Sequence, residues 1–237
     1  MNAAWRTRAG FLVACALHAA VCVAFAASTP APPAPKSSSS KTAAPATVSD
    51  EAAFAPCVAC HGAQGEGLAA AHVPRLAGQA AEYLQKQLHN YADGTRDSPI
   101  MTNFAKALSE TQRAKFAARY ASMSAPFLAE AAPVNAVMLA RGHQLAYQGD
   151  ETKRVQACVG CHGPDGIGVP HAAPYLAGQS AEYLAGALKA FQQGTRKNDA
   201  GQLMRSVAQR LDDADIAAVT GYFAGLSSST HQSATPW

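Results

Sequence analysis

Two stretches of the chain carry the same five-residue pattern, and no other feature restricts its fold as strongly. Cys57-Val58-Ala59-Cys60-His61 returns as Cys158-Val159-Gly160-Cys161-His162, an offset of 101. Further blocks repeat in the same order. Pro74 to Leu84 matches Pro174 to Leu184 at nine of eleven positions, Gly94-Thr95-Arg96 returns as Gly194-Thr195-Arg196, and the Met101, Ala105, Leu108 spacing returns as Met204, Ala208, Leu211. A conserved order with an offset drifting only from 100 to 103 is the mark of a duplicated domain.

The remaining sequence brackets this repeat. Arg6 and Arg8 precede an apolar run from Ala9 to Ala26 that closes on Ala24-Phe25-Ala26, the charged, apolar and small-residue order of a secretory signal. Residues 1–26 are therefore expected to be a signal peptide, with an uncleaved membrane anchor as the alternative. Its removal would take Cys15 and Cys22 and leave only the four cysteines of the two motifs. Residues 27–49 are rich in Ala, Pro and Ser and read as a disordered tether, and residues 227–237 as a flexible tail. Two units remain, 50–130 and 131–226. With 49% hydrophobic and 15% charged residues the chain has a globular composition. A formal charge of +3 without long like-charge runs argues against nucleic acid as partner.

Each unit reads as helical, so the fold class is all-α. Leu84, Leu88 and Tyr91 mark one apolar helix face, and Leu184, Leu188 and Phe191 repeat it, with Gly94 and Gly194 as stops. Ser109 and Gln112 form a capping box for a helix reaching about Met123, and Asp212 or Asp213 starts its counterpart through Phe223. A helix over 134–147 opens the second unit. The first unit has only Ser49 to Ala55 in that place, which predicts a short or absent opening helix and leaves its packing on Phe116 and Tyr120 in question.

In Cys-x-x-Cys-His the two thiols are spaced for thioether bonds to one haem, and the adjoining histidine for its iron. Cys57, Cys60 and His61 would hold one haem c, and Cys158, Cys161 and His162 a second. A disulfide within each motif would close a strained short loop, zinc would need both motifs to meet, and a thioredoxin-like site wants a βαβ context. The sixth ligands are expected from Met101 and Met204, which lie 40 and 42 residues after their histidines in the loop before each last helix. His72 and His171 are the competing ligands but do not share the repeat offset; Met123, Met138, His89, His143 and His231 read as packing or surface residues. Gly65-x-Gly67 and Gly166-x-Gly168 lack the strand and lysine of a phosphate loop.

On these motifs residues 50 to 226 resemble the dihaem cytochrome c4 family, two tandem class I cytochrome c domains each wrapped around one covalent haem. The resemblance implies that the carbonyls of Pro74 and Pro174 hold His61 and His162. It also implies that Arg96 and Arg196, with Tyr83 and Tyr183 as further candidates, reach haem propionates; solvated arginines at helix ends are the alternative. The ligand loop is three residues shorter between Arg96 and Met101 than between Arg196 and Met204, so the two haems are expected to differ.

A haem closed by His and Met leaves no iron position for a substrate, which favours electron transfer over catalysis. The expected function is a periplasmic electron carrier rather than an enzyme. The family points to a cytochrome bc-type quinol-oxidising complex as donor and a terminal oxidase as acceptor. A haem subunit of a dedicated dehydrogenase is the rival reading, a dihaem peroxidase the weaker one, and peripheral membrane association stays open. Seven basic and eight acidic residues in 50–130, and eight of each in 131–237, predict little electrostatic steering of partners.

Overall fold

A computed structural model describes residues 49–124 and 135–226, all within one compact unit. The signal, the tether, the tail and the junction near residue 131 lie outside the described residues. Those described form nine α-helices and a few isolated bridges, with no extended strands. None of these helices is long and apolar enough to cross a membrane.

The first half consists of α1 (Asp50–His61), α2 (Ala81–Asp93), α3 (Met101–Ala107) and α4 (Glu110–Ala121). In the second half α5 (Ala136–Tyr147) and α6 (Val159–His162) together take the place of α1, followed by α7 (Ala181–Gln192), α8 (Leu203–Ala208) and α9 (Asp213–Ala224). Local signals account for most boundaries. Ser109 accepts from the Gln112 backbone N–H while the Gln112 side chain accepts from the Ser109 N–H, completing the box that starts α4. Asp212 caps α9 in the same sense, accepting from Asp215 N–H, and Gly94 ends α2 in the left-handed region with φ 81°.

Of the two expectations for the opening helix of the first unit, short or absent, the structure has the short one, joined to the cysteine motif. Twelve residues from Asp50 run through the cysteine motif as one helix, started by Ser49 accepting from Ala52 N–H, and Pro56 does not end it. Phe54 on this helix is 2% exposed and packs edge-on against Phe116 and tilted against Tyr120, both centroids 5.1 Å away. The two halves differ because a turn over 148–158, pinned by the Asp150–Val155 bridge, separates α5 from α6, whereas the first half joins the two segments directly.

The cores follow the repeat. Leu84, Leu108, Phe116 and Tyr120 cluster with Phe54, and Leu184, Leu211, Val219 and Phe223 cluster with Leu145 and Ile216. Close approach sets one residue: a Cβ on Gly142 of α5 would run into the Ala218 carbonyl of α9. Gly65 and Gly166, at φ 72° and 73°, bring the loop after each motif against the closing helix. A Cβ there would lie 2.8 Å from the Tyr120 ring and 2.7 Å from the Phe223 ring.

Candidate functional site

Both cysteine motifs open onto one continuous cavity of about 620 Å³ between the two halves. Cys57, Cys60, His61 and Met101 line it from the first half, and Cys158, Cys161, His162 and Met204 from the second. The motif places its histidine as the last helical residue in each case, His61 of α1 and His162 of α6. The two imidazoles are 6% and 7% exposed, and the four thiols are free of disulfides. Among the described residues no group of three or more His, Cys, Asp and Glu side chains converges as an ordinary metal site.

Each imidazole is held from behind. His61 Nδ1 donates to the Pro74 carbonyl at 2.9 Å and His162 Nδ1 to the Pro174 carbonyl at 2.8 Å; a carbonyl only accepts, so the proton sits on Nδ1. Burial pushes both histidines below their usual value, against the proline bonds, which favour the charged form. A neutral ring with Nδ1–H engaged leaves the Nε2 lone pair free to bind a metal. Met101 and Met204 stand in the first turns of α3 and α8 rather than in a loop.

Arg96 and Arg196 are buried, 8% exposed each, and form a backbone bridge with one another across the halves. Arg96 donates to Gln87 Oε1 at 2.7 Å and to the Tyr183 hydroxyl at 3.2 Å. Arg196 donates to Gln87 Oε1 at 3.1 Å and to the Tyr83 hydroxyl at 3.2 Å. At 8% exposure neither is a solvated arginine at a helix end, and neither has a carboxylate at ion-pair distance among the described residues. Two buried like charges with only neutral partners call for an anionic group in the cavity they line. The buried Tyr120 hydroxyl also lines that cavity without a hydrogen-bond partner among the described residues. Paired thiols, a neutral imidazole, a thioether and buried cations are the donor set a covalent haem with propionates requires, so the residues present fit the group.

Of the competing histidines, His171 lines the cavity and His72 does not. His72 and His171 are exposed and share a left-handed turn, φ 56° and 60°, so the structure matches a pair the sequence offset does not. His89 faces Asp93 and Glu110 on the surface, and His143 stacks on Tyr147; His231 lies outside the described residues. The contacts between the halves were not read from the sequence. Gln79 and Gln179 each hydrogen-bond the backbone of the opposite half, at Tyr175 and Arg75. Asn198, in the longer second ligand loop, donates to Gln87 and Asn90 of the first half at 2.9 Å each, and Lys86 donates to its carbonyl at 2.6 Å. The only sequence signal was that each glutamine recurs in the same Leu-Ala-Gly-Gln run.

The chain is similar to known proteins. The family model described as Cytochrome c matches residues 51–125 and again 139–227. The thiosulfate dehydrogenase electron acceptor of Stutzerimonas stutzeri (strain A1501) is 44% identical over 170 residues, 72% of this chain and 78% of that one. Cytochrome c4 of Pseudomonas aeruginosa is 39% identical over 178 residues, 74% of this chain and 86% of that one. The structure of reduced recombinant cytochrome c4 from Pseudomonas stutzeri superposes with a TM-score of 0.66 at 32% identity, covering 76% of this chain and all of that one. The thiosulfate dehydrogenase TsdBA from Marichromatium purpuratum superposes at 0.68 and 36% identity over 76% of this chain, which spans only 39% of that longer chain.

Proposed function

Because the chain belongs to the cytochrome c family, as a member of its dihaem cytochrome c4 branch, we propose that it passes single electrons in the periplasm from a cytochrome bc-type quinol-oxidising complex to a terminal oxidase. It is an electron-transfer protein rather than an enzyme, and it carries two covalently bound haem c groups. Their iron supplies the one-electron change between ferric and ferrous states.

In this reading residues 50–130 and 131–226 are the two haem units. Cys57 with Cys60, and Cys158 with Cys161, provide the thioether sulfurs. His61 with Met101, and His162 with Met204, close the two iron positions. Pro74 and Pro174 hold each imidazole with Nε2 available, and Arg96 and Arg196 neutralise propionates while Tyr83 and Tyr183 fix the guanidinium orientation. A soft thioether on each iron favours the ferrous state and leaves no place for oxygen or peroxide. The observation that carries the reading is that both motifs and both methionines line one cavity, which would hold the two redox groups together. The apolar run after Arg6 and Arg8 supports export.

A second reading has a specific support. Two relatives, 44% and 41% identical, are named as electron acceptors of thiosulfate dehydrogenase, which points to a dehydrogenase of that kind as the donor. The test is made on holoprotein matured in a bacterium that assembles c-type cytochromes. Two haems per chain and a ferrous spectrum unmoved by carbon monoxide are expected; a prompt shift in part of the haem would overturn the closed-iron reading. Stopped-flow reduction by quinol with a bc-type complex is then compared with reduction by thiosulfate and a thiosulfate dehydrogenase. Rapid reduction by the first supports the shuttle, and rapid reduction by the second alone replaces it with the dehydrogenase partner.

A further inference from the structure

One peptide unit on each side of the interface is used from both ends. The Pro74 carbonyl accepts from His61 Nδ1 at 2.9 Å, and the N–H of that same peptide, on Arg75, donates to Gln179 Oε1 of the second half at 3.0 Å. Gln179 Nε2 returns a bond to the Arg75 carbonyl at 3.0 Å. The mirror arrangement holds on the other side. Pro174 accepts from His162 at 2.8 Å, Tyr175 N–H donates to Gln79 Oε1 at 2.9 Å, and Gln79 Nε2 donates to the Tyr175 carbonyl at 3.1 Å. Both glutamines are buried, 7% and 6% exposed. Each Oε1 also accepts from the next backbone N–H, of Ala80 or Ser180, and is thereby anchored at the start of α2 or α7.

We propose that Gln179 and Gln79 are positioning residues that set the donor strength of the histidine in the opposite half. A peptide's N–H and C=O share one conjugated system. A hydrogen bond accepted from the N–H therefore raises the electron density on the carbonyl oxygen, and successive hydrogen bonds strengthen one another. The Pro74 carbonyl then pulls harder on Nδ1–H and makes His61 a stronger electron donor, the effect outer partners have on a ligating histidine. A stronger donor stabilises ferric iron and lowers the potential. Each half thus tunes the haem of the other through a single uncharged side chain. The inference rests on the ligation proposed above.

The test uses holoprotein carrying Gln179→Leu, Gln79→Leu or Gln179→Glu, with a redox titration in which the haem methyl resonances report each haem separately. Gln179→Leu is expected to raise the potential of the His61 haem alone, by roughly up to tenfold in its redox equilibrium, which is about 59 mV for one electron. Gln79→Leu is expected to raise that of the His162 haem alone. Gln179→Glu keeps the acceptor oxygen and is not expected to raise either, so it decides the matter if the leucine variant fails to mature. A rise at the haem of the substituted half, an equal rise at both, or lowered thermal stability with no change in potential would overturn the proposal, as would a rise in Gln179→Glu. Failure of the ligation reading shows itself separately, as carbon monoxide binding by the unsubstituted protein.

Discussion

Arg96 and Arg196 lie side by side across the two halves, and each guanidinium donates to the tyrosine hydroxyl that the other half supplies, Tyr183 and Tyr83, at 3.2 Å. Gln87 Oε1 is shared by both arginines and by Asn198 Nδ2. The repeat partner of Gln87 is Ala187, so one side chain of the first half serves both cations. A buried positive charge stabilises the state that holds one more electron. Arg96→Leu and Arg196→Leu are therefore expected to lower the haem potentials, by an amount on the order of 1 kcal/mol per electron. Spectroelectrochemical titration of the holoprotein measures it, and an unchanged or raised potential would contradict the propionate role.

The direct run of α1 into the first cysteine motif makes Phe54 the pivot of the first core. It fills the space between Phe116 and Tyr120 and also lies under the Arg119 guanidinium, 3.9 Å from the ring centroid. Phe54→Ala is expected to destabilise the first half by about 3–5 kcal/mol, the range for a large side chain removed from a core. Denaturant unfolding followed at each haem should show the loss at the first half while the second keeps its midpoint.

A charged network fastens the second half. Arg141 donates to Asp215 at 2.8 Å and to Asp150 at 2.7 Å, and Lys153 donates to Asp212 at 2.7 Å and also to Asp215. Burial raises the Asp215 carboxyl, but the hydrogen bonds from Arg141 and Lys153 outweigh it and hold it below its ordinary value of 3.8. Asp150 is held low by Thr152 and Arg141, and Asp212 by Lys153. Carboxyls depressed on folding contribute stability above their unfolded value and lose it as pH falls through the folded one. Thermal melts should therefore be flat near neutrality and drop below about pH 4. Arg141→Leu should lower the neutral melting point by several degrees and shrink the acid loss, because Asp215 then gains less from being ionised.

Met101 and Met204 are the matched pair, so removing either should open one iron and leave the other closed. Met101→Ala and Met204→Ala are each expected to make half of the ferrous haem bind carbon monoxide, read from the Soret band. A variant that binds none would show that its methionine is not a ligand.

The cysteine motifs, the duplication, the apolar stripe of α2 and α7 and the Ser109–Gln112 cap were all legible in the sequence, because each depends on residues a few positions apart and on spacing the backbone enforces. Register alone also paired Met101 with Met204, although both stand on short helices where a loop was expected. The sequence left the opening helix of the first half as short or absent, because only seven residues precede its motif; that these run straight into the motif as one helix, where the second half inserts the turn at 148–158, appeared only in the structure. What lies between the halves was decided only in three dimensions. Gln79 reaches Tyr175 and Gln179 reaches Arg75 over 96 and 104 residues, and Arg96 meets Tyr183 over 87. No periodicity encodes such contacts: they exist only when the two helical halves close on one cavity, and burial there turns ordinary polar side chains into the partners of buried charges and of the peptides that hold the histidines.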